Sequence, residues 1–381
     1  MSKNIAIFAD GTWNRKDSGA DTNVARLFDV TVNGTVSGER NPEITEQRSF
    51  YDPGVGTGAL KLTGGIGGLG ISKNIQDCYR FLVAHFEPGD RIFLFGFSRG
   101  AFTVRSLAGM LGKVGLMKRE HASERRVQRA YRVYRGHAEY PHYVDEFRRQ
   151  YCAPCPVHLI GVWDTVGALG IPVNALNRWN PFPHHFHDPA LGKNVTFAYQ
   201  ALAIDEAREK FLPTLWTVPP SKKEKRKDQV VRQVWFAGMH ADVGGGYLET
   251  SLSDIPLEWM AEMASAAGLE FTSEWEARLT CSHLGMMHDS RLGWKSLFRR
   301  KIRTLDGVPG LRIHRSVFRR MEDSSKWQSP YDPPNLHDCH YVVEPWPREP
   351  APPEPPPEDP PAADRKAAKK AARRKSRSAP P

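Results

Sequence analysis

Long hydrophobic runs are the first thing missing from this chain of 381 residues. Nothing approaches the roughly 18 uncharged apolar residues that a spanning helix needs. Residues 1–10 (MSKNIAIFAD) hold a short apolar run without the layout of a signal peptide, so the expected location is cytoplasmic and the run reads as a first strand. Cysteine is sparse: there are five, an odd number, scattered along the chain. A disulfide framework is therefore not expected and a reducing compartment is the default. Cys152 and Cys155 make one CxxC, with neither a second CxxC nor a histidine pair at finger spacing, so no zinc site is expected. The phosphate-binding pattern G-x-x-x-x-G-K-[ST] is absent. Residues 65–70 (GIGGLG) fit G-x-G-x-x-G, but a dinucleotide site also needs a strand just before it and an acid at the end of the next strand. Residues 59–63 make a poor strand and the next strand ends in Phe97-Ser98, so the stretch reads as a mobile loop and no cofactor is expected.

Basic residues are in excess, with a net charge of +10, but the excess is local. The eight Lys and Arg residues from Arg365 onward, with no acid among them, account for all but two of those charges. The charge of the remainder says little about its substrate, and nucleic acid is not the expected partner. Composition shifts near Glu344 to a proline-rich stretch and then an Ala/Lys/Arg run. Such sequence is extended and solvated and packs no core. The expected organisation is one catalytic domain over residues 1–343, with lid-like insertions, and a disordered tail over 344–381.

Apolar runs at residues 5–9, 91–97, 157–163 and 230–239, and a weaker one at 48–51, read as strands. Ile71, Ile75, Tyr79, Leu82 and Phe86 recur at helical spacing, and a second helix runs from Arg99 to about Leu111. Strands alternating with helices predict an α/β protein with a mostly parallel sheet and helices on both faces. In that architecture ligands sit at the carboxyl ends of the strands, so the residues following each strand carry the information.

Gly96-Phe97-Ser98-Arg99-Gly100 follows the second run as a G-x-S-x-G, which needs a tight strand-to-helix turn with the serine hydroxyl exposed. The bland alternative is a packing turn. The backbone N–H of Arg99 is then the first oxyanion donor, favoured by the helix N-terminus. Asp164 follows the run at 157–163; it is either the acid that orients a histidine or a turn and cap residue. His240 follows the last run and precedes three glycines at 244–246. The order Ser98, Asp164, His240 is that of the α/β-hydrolases. In this reading His240 takes the Ser98 proton, Ser98 attacks an ester carbonyl, and Asp164 holds the imidazole tautomer. A second oxyanion donor is expected from Gly11 or Thr12, after the first strand. Asp10, Phe97 and Asp242 are candidate substrate-side or loop residues.

Six segments together resemble a known family: residues 8–14 (FADGTWN), 51–58 (YDPGVGTG), 96–109 (GFSRGAFTVRSLAG), 161–167 (GVWDTVG), 201–206 (ALAIDE) and 240–247 (HADVGGGY). They look like the α/β-hydrolase domain that includes the catalytic domain of type VI secretion phospholipase effectors, over about residues 3–265. The resemblance implies a serine esterase or lipase, acting on phospholipids in the effector members, with Ser98, Asp164 and His240 on its triad motifs. One departure is Gln200, where the family usually has histidine.

Two rival functions remain at this point. Asp10, Asp164, His240 and Asp242 at one sheet edge are ligand types for a divalent metal, with Ser98 as a phosphatase-type nucleophile. The other rival is a catalytically silent hydrolase fold whose basic tail docks on nucleic acid or a partner. Residues 180–188 (NPFPHHFHD) read as a lid or surface loop. The basic stretches at 222–227 and 119–135 read as solvated faces, with peripheral contact to anionic lipid headgroups as the minor alternative.

Overall fold

The computed structural model describes residues 2–11, 20–38, 42–54, 66–136, 141–166, 191–217, 228–289, 299–326 and 329–347. These lie in the compact unit Met1–Pro347; the second unit, Arg348–Pro381, lies outside the described residues. So do Thr12, residues 180–188 and residues 222–227.

Strand β1 (Ser2–Ala9) leads to helix α1 (Asn23–Val30), the short strand β2 (Gly34–Thr35) and strand β3 (Ile44–Asp52). Helix α2 (Ile66–His85), strand β4 (Arg91–Phe97) and helix α3 (Arg99–Lys113) follow. Strand β5 (Leu116–Met117), helices α4 (Glu124–Arg135) and α5 (Pro141–Tyr151) and strand β6 (Cys152–Ala153) lead into strand β7 (Val157–Trp163). Strands β8 (Val195–Ala203) and β9 (Val230–Phe236) come next, then helices α6 (His240–Gly244) and α7 (Asp254–Ala266). Strand β10 (Arg312–His314), helix α8 (Arg315–Asp323) and strand β11 (Val342–Glu344) end the described chain.

Nine strands form one sheet in the order β11-β10-β9-β8-β7-β4-β1-β3-β2, parallel throughout except for the β2–β3 pair. Both faces are covered. On one, α2, α3, α4 and α5 bury Ile75, Leu82, Leu107 and Val127 against Ile7, Leu94 and Ile160. On the other, α1 and α7 bury Leu27, Trp259 and Met260 against Phe8, Phe95 and Leu159. Each such large side chain contributes roughly 1.5–3 kcal/mol by leaving water. A strand buried on both faces has no polar alternation, which is why β1, β4 and β7 stand out in the sequence as continuous apolar runs.

Several boundaries differ from those expected. Strand β3 is longer than residues 48–51, and β9 stops at Phe236, three residues short of Met239. The run at 66–70 is not a loop but the first turns of α2. Strand β8 has no counterpart in the sequence reading. Its buried positions mix Val195, Tyr199 and Leu202 with the small Ala198, Ala201 and Ala203 and the polar Gln200, so its hydrophobic signal is diluted.

Register sets where the strands stop. Ala9 pairs with Gly96 and Asp52, Phe97 with Trp163, Trp163 with Ala201, and Ala203 with Phe236. The exits therefore lie at one level, along one edge. The chain also reverses direction here: from β1 it runs outward to β3, then returns to the other side as β4. Such a switch point opens a crevice at the carboxyl ends.

The same edge explains the glycines of G-x-S-x-G. A Cβ on Gly100 would lie 1.9 Å from the carbonyl oxygen of Ala9, and one on Gly96 would lie 2.6 Å from the backbone of Gly100. Helix α3 can start this close to β1 only if both positions lack side chains. Gly100→Ala is expected to cost about 3 kcal/mol, because the clashing partner is backbone at the end of a central strand. Urea unfolding of the variant checks this, as a lower midpoint at unchanged m.

Candidate active site

Ser98 stands at the β4–α3 junction with φ +56 and ψ −115, a backbone region that non-glycine residues rarely adopt. Its N–H bonds to the Trp163 carbonyl at 3.1 Å, so the turn is tied to the neighbouring strand. Strain of this kind persists only where the surroundings impose it. Here they aim the hydroxyl at the edge of the sheet. Asp164 follows β7, also with positive φ (+37), and its N–H bonds to the Ala201 carbonyl at 2.8 Å. His240 opens α6 after β9.

Three side chains from three strand exits meet. His240 Nε2 lies 3.0 Å from Ser98 Oγ, and His240 Nδ1 lies 2.6 Å from Asp164 Oδ2. The imidazole is held between two rings, Phe97 at 4.6 Å and Phe211 at 5.2 Å between centroids. Gly244 explains part of this packing: a Cβ there would fall 2.0 Å from the Phe97 ring, so the glycine after His240 lets the ring lie under the helix.

With this arrangement in view, comparison with known proteins is informative. The family model for the type VI secretion system Tle1-like phospholipase effector, catalytic domain, matches residues 3–263. The chain belongs to this family. An uncharacterized protein of Saccharomyces cerevisiae, YEL023C, is 29% identical over 249 residues, covering 57% of this chain and 33% of its own. An uncharacterized protein from Pseudomonas aeruginosa of known crystal structure is 19% identical, with a TM-score of 0.44 over 74% of this chain and 49% of its own. The Tle1 effector in its complex with the VgrG spike of the type 6 secretion system is 18% identical, with a TM-score of 0.37 over 65% of this chain and 53% of its own. The chain thus spans about a third of the yeast relative and about half of each solved chain. Gln200, inside the matched span, lies within β8, where the amide is fully buried and donates weakly to Thr165 Oγ1 and the Thr214 carbonyl.

One residue bound into this cluster lies in none of the quoted motifs. Arg303 is 2% exposed and reaches Asp164 with both terminal nitrogens, Nη1 to Oδ1 at 2.7 Å and Nη2 to Oδ2 at 2.8 Å. It also donates to the carbonyls of Ala203 and Phe211, each at 2.6 Å. The N–H of Ala203 adds a fourth bond to the carboxylate, at 3.2 Å to Oδ1. A carboxylate has about four lone-pair directions, and all are used. Burial pushes the Asp164 carboxyl up, but the Arg303 charge and the hydrogen bonds from His240 and Arg303 outweigh it, so the pKa lies well below the usual range. Sequence reasoning missed Arg303 because nothing in residues 299–311 distinguishes one arginine from its neighbours.

Glu206 ends the segment 201–206, but its place beside His240 was not foreseen. Its carboxylate accepts the His240 backbone N–H at 3.3 Å and pairs with Arg208 at 2.7 Å. Burial opposes its ionisation, but hydrogen bonds and charge from Arg208 hold its pKa below the ordinary value. The Arg208 guanidinium in turn lies 3.5 Å from the centroid of the Phe211 ring that packs on His240.

The other expected participants have other work. Asp10 accepts from Thr22 Oγ1 at 2.6 Å and Tyr51 Oη at 2.7 Å, while its Oδ1 takes the Gly11 N–H at 2.6 Å. Gly11 is therefore not a free oxyanion donor, and Thr12 lies outside the described residues. Thr22 also caps α1, so Asp10 fastens the exit of β1 to that helix. Asp242 is a cap rather than a substrate contact: Oδ2 accepts the N–H groups of Met239 and His288 at 2.9 and 3.2 Å, and Oδ1 binds His288 Nδ1 at 2.7 Å. Among the described residues no three His, Cys, Asp or Glu side chains stand together as metal ligands. Asp10, Asp164 and Asp242 each spend their oxygens on separate networks.

Asp205, next to Glu206, is a half-buried carboxyl raised to about 6 by burial, although the Gly238 N–H and Tyr331 O–H both donate to its Oδ2. A carboxyl raised in the native state costs stability as pH climbs from about 4, the unfolded value, through 6. Asp205→Asn keeps one acceptor oxygen and removes the charge. It is expected to stabilise the protein by about 1 kcal/mol at pH 8, partial exposure reducing the full effect, and not at pH 4. Thermal unfolding at the two pH values checks this.

Proposed function

We propose that this protein is a serine hydrolase that cleaves acyl esters of lipids, with Ser98 as nucleophile, His240 as general base and acid, and Asp164 as the orienting acid. The observation that carries the proposal is the continuous chain Ser98 Oγ to His240 Nε2, then His240 Nδ1 to Asp164 Oδ2, at 3.0 and 2.6 Å. The lipid ester as substrate class follows from membership in a phospholipase effector family.

Ionised Asp164 accepts a hydrogen bond from the Nδ1–H, which keeps the proton on Nδ1 and leaves Nε2 as the acceptor facing Ser98. His240 Nε2 removes the Ser98 proton as Oγ attacks the acyl carbonyl. The negative charge of the tetrahedral intermediate falls near the start of α3, where the Arg99 N–H has no partner within the helix and the helix dipole favours an anion. The imidazolium then returns the proton to the leaving alcohol, and an acyl group remains on Ser98. A water deprotonated by His240 releases the fatty acid by the same steps in reverse order of roles.

Ser98→Ala is expected to lower turnover of a short acyl ester by about 10⁴-fold or more at unchanged stability. Wild-type protein, and not this variant, is expected to be labelled by a fluorophosphonate probe, and activity is expected to survive EDTA. Turnover retained by Ser98→Ala rejects the assignment. Activity abolished by EDTA favours a metal-assisted phosphoesterase.

A further inference from the structure

We propose that Arg303 is a positioning residue of the active centre, contributed by chain beyond the residues the family model matches, which locks the Asp164 oxygen that orients His240. The proposal rests on the triad reading given above. Residue 303 lies outside the matched span of 3–263, so no family motif points to it.

The geometry is specific. Asp164 Oδ2 is shared: it accepts from His240 Nδ1 at 2.6 Å and from Arg303 Nη2 at 2.8 Å. A cation needed only for neutralisation has no reason to bind the same oxygen in a planar two-point grip. The fork fixes the plane of the carboxylate, and the plane fixes the direction in which Oδ2 receives the imidazole N–H. Lysine, a single point charge, cannot do this.

The backbone places the fork. The Glu209 N–H bonds to the Arg299 carbonyl at 3.0 Å, and the Lys301 N–H bonds to the Ala207 carbonyl at 2.8 Å. Residues 299–301 thus pair with the loop that follows β8, and Asn335 joins the carbonyls of Arg303 and Ile204 at 3.1 and 3.0 Å. The C-terminal part of the chain is thereby stitched to the loop carrying Glu206, Arg208 and Phe211. Glu206 and Phe211 contact His240, and Arg208 contacts both of them.

The charges facing the imidazole follow. Asp164 at the exit of β7 is balanced by Arg303. Glu206 after β8 is balanced by Arg208. Asp242, on α6 with His240, is occupied by His288. Removing the Arg303 guanidinium leaves His240 against an uncompensated carboxylate, which favours the imidazolium. The acid limb of the activity profile then moves to higher pH.

The test uses full-length Arg303→Met and Arg303→Lys with a soluble p-nitrophenyl ester, measuring kcat and KM across pH 5–9. Arg303 touches no substrate, so KM is expected to stay within about twofold. Arg303→Met is expected to lose about 100-fold in kcat and to raise the acid limb by about one pH unit. Arg303→Lys is expected to restore the limb but only part of kcat, because it keeps the charge and loses the fork. A folded Arg303→Met with wild-type kcat and limb overturns the proposal. If that variant does not fold, Arg303→Lys decides alone: kcat at least about fivefold down at constant KM supports it, and wild-type kcat overturns it. Failure of both variants to fold assigns Arg303 a purely structural role and also overturns it. Ser98→Ala, run in parallel, keeps the two readings apart, since its retained turnover rejects the triad whatever Arg303 does.

Discussion

A carboxylate with no exposure at the end of a central strand costs several kcal/mol to bury unless every lone pair is met. Asp164 meets that demand with four donors: two from Arg303, one from His240 and one from the Ala203 backbone. The donors come from three different parts of the chain. Ala203 is the last residue of β8, His240 begins α6, and Arg303 belongs to a segment nearly 140 residues downstream of Asp164. The satisfied carboxylate is therefore where the sheet, the turn after β9 and the C-terminal region are joined. Remove Arg303 and the other donors are left around an unbalanced charge.

A second constraint acts on Ser98. Ser98 keeps an unfavourable backbone because α3 is pressed against β1 at Gly100 and its N–H is tied to Trp163. The strain is confined to one residue, while the cost of imposing it is spread over a sheet buried on both faces. The imidazole is treated in the same way, held between Phe97 and Phe211 and flanked by two balanced ion pairs. A rigid setting of this kind fixes the geometry between Ser98 and His240 on which the proposed proton transfer depends.

Much of the site was legible because each candidate stood directly after an apolar run. Runs such as residues 91–97 and 157–163 are continuous since both faces are covered, and the residue after each run has to sit at the carboxyl edge. That logic located Ser98, Asp164 and His240. It failed for Asp10 and Asp242, which occupy equivalent places but turn their oxygens to Thr22, Tyr51, Met239 and His288. Position at a strand exit says where a side chain starts, not which of several nearby donors it will bind. It failed also for β8, whose alanines pack tightly without a strong apolar signal, and hence for Glu206 just beyond it.

By itself, then, the amino-acid order determined the run of strands, the tight turn with its glycines, and the three residue types in hydrolase order, because these are local properties of spacing and composition. Tertiary structure decided which oxygens face the imidazole and which charges balance them. Arg303 is the clearest case: one arginine among many in the sequence, it acquires a role only when the 299–303 segment pairs with the loop after β8. Hydrogen bonding between distant segments depends on how their backbones meet in space, and no local pattern records that meeting.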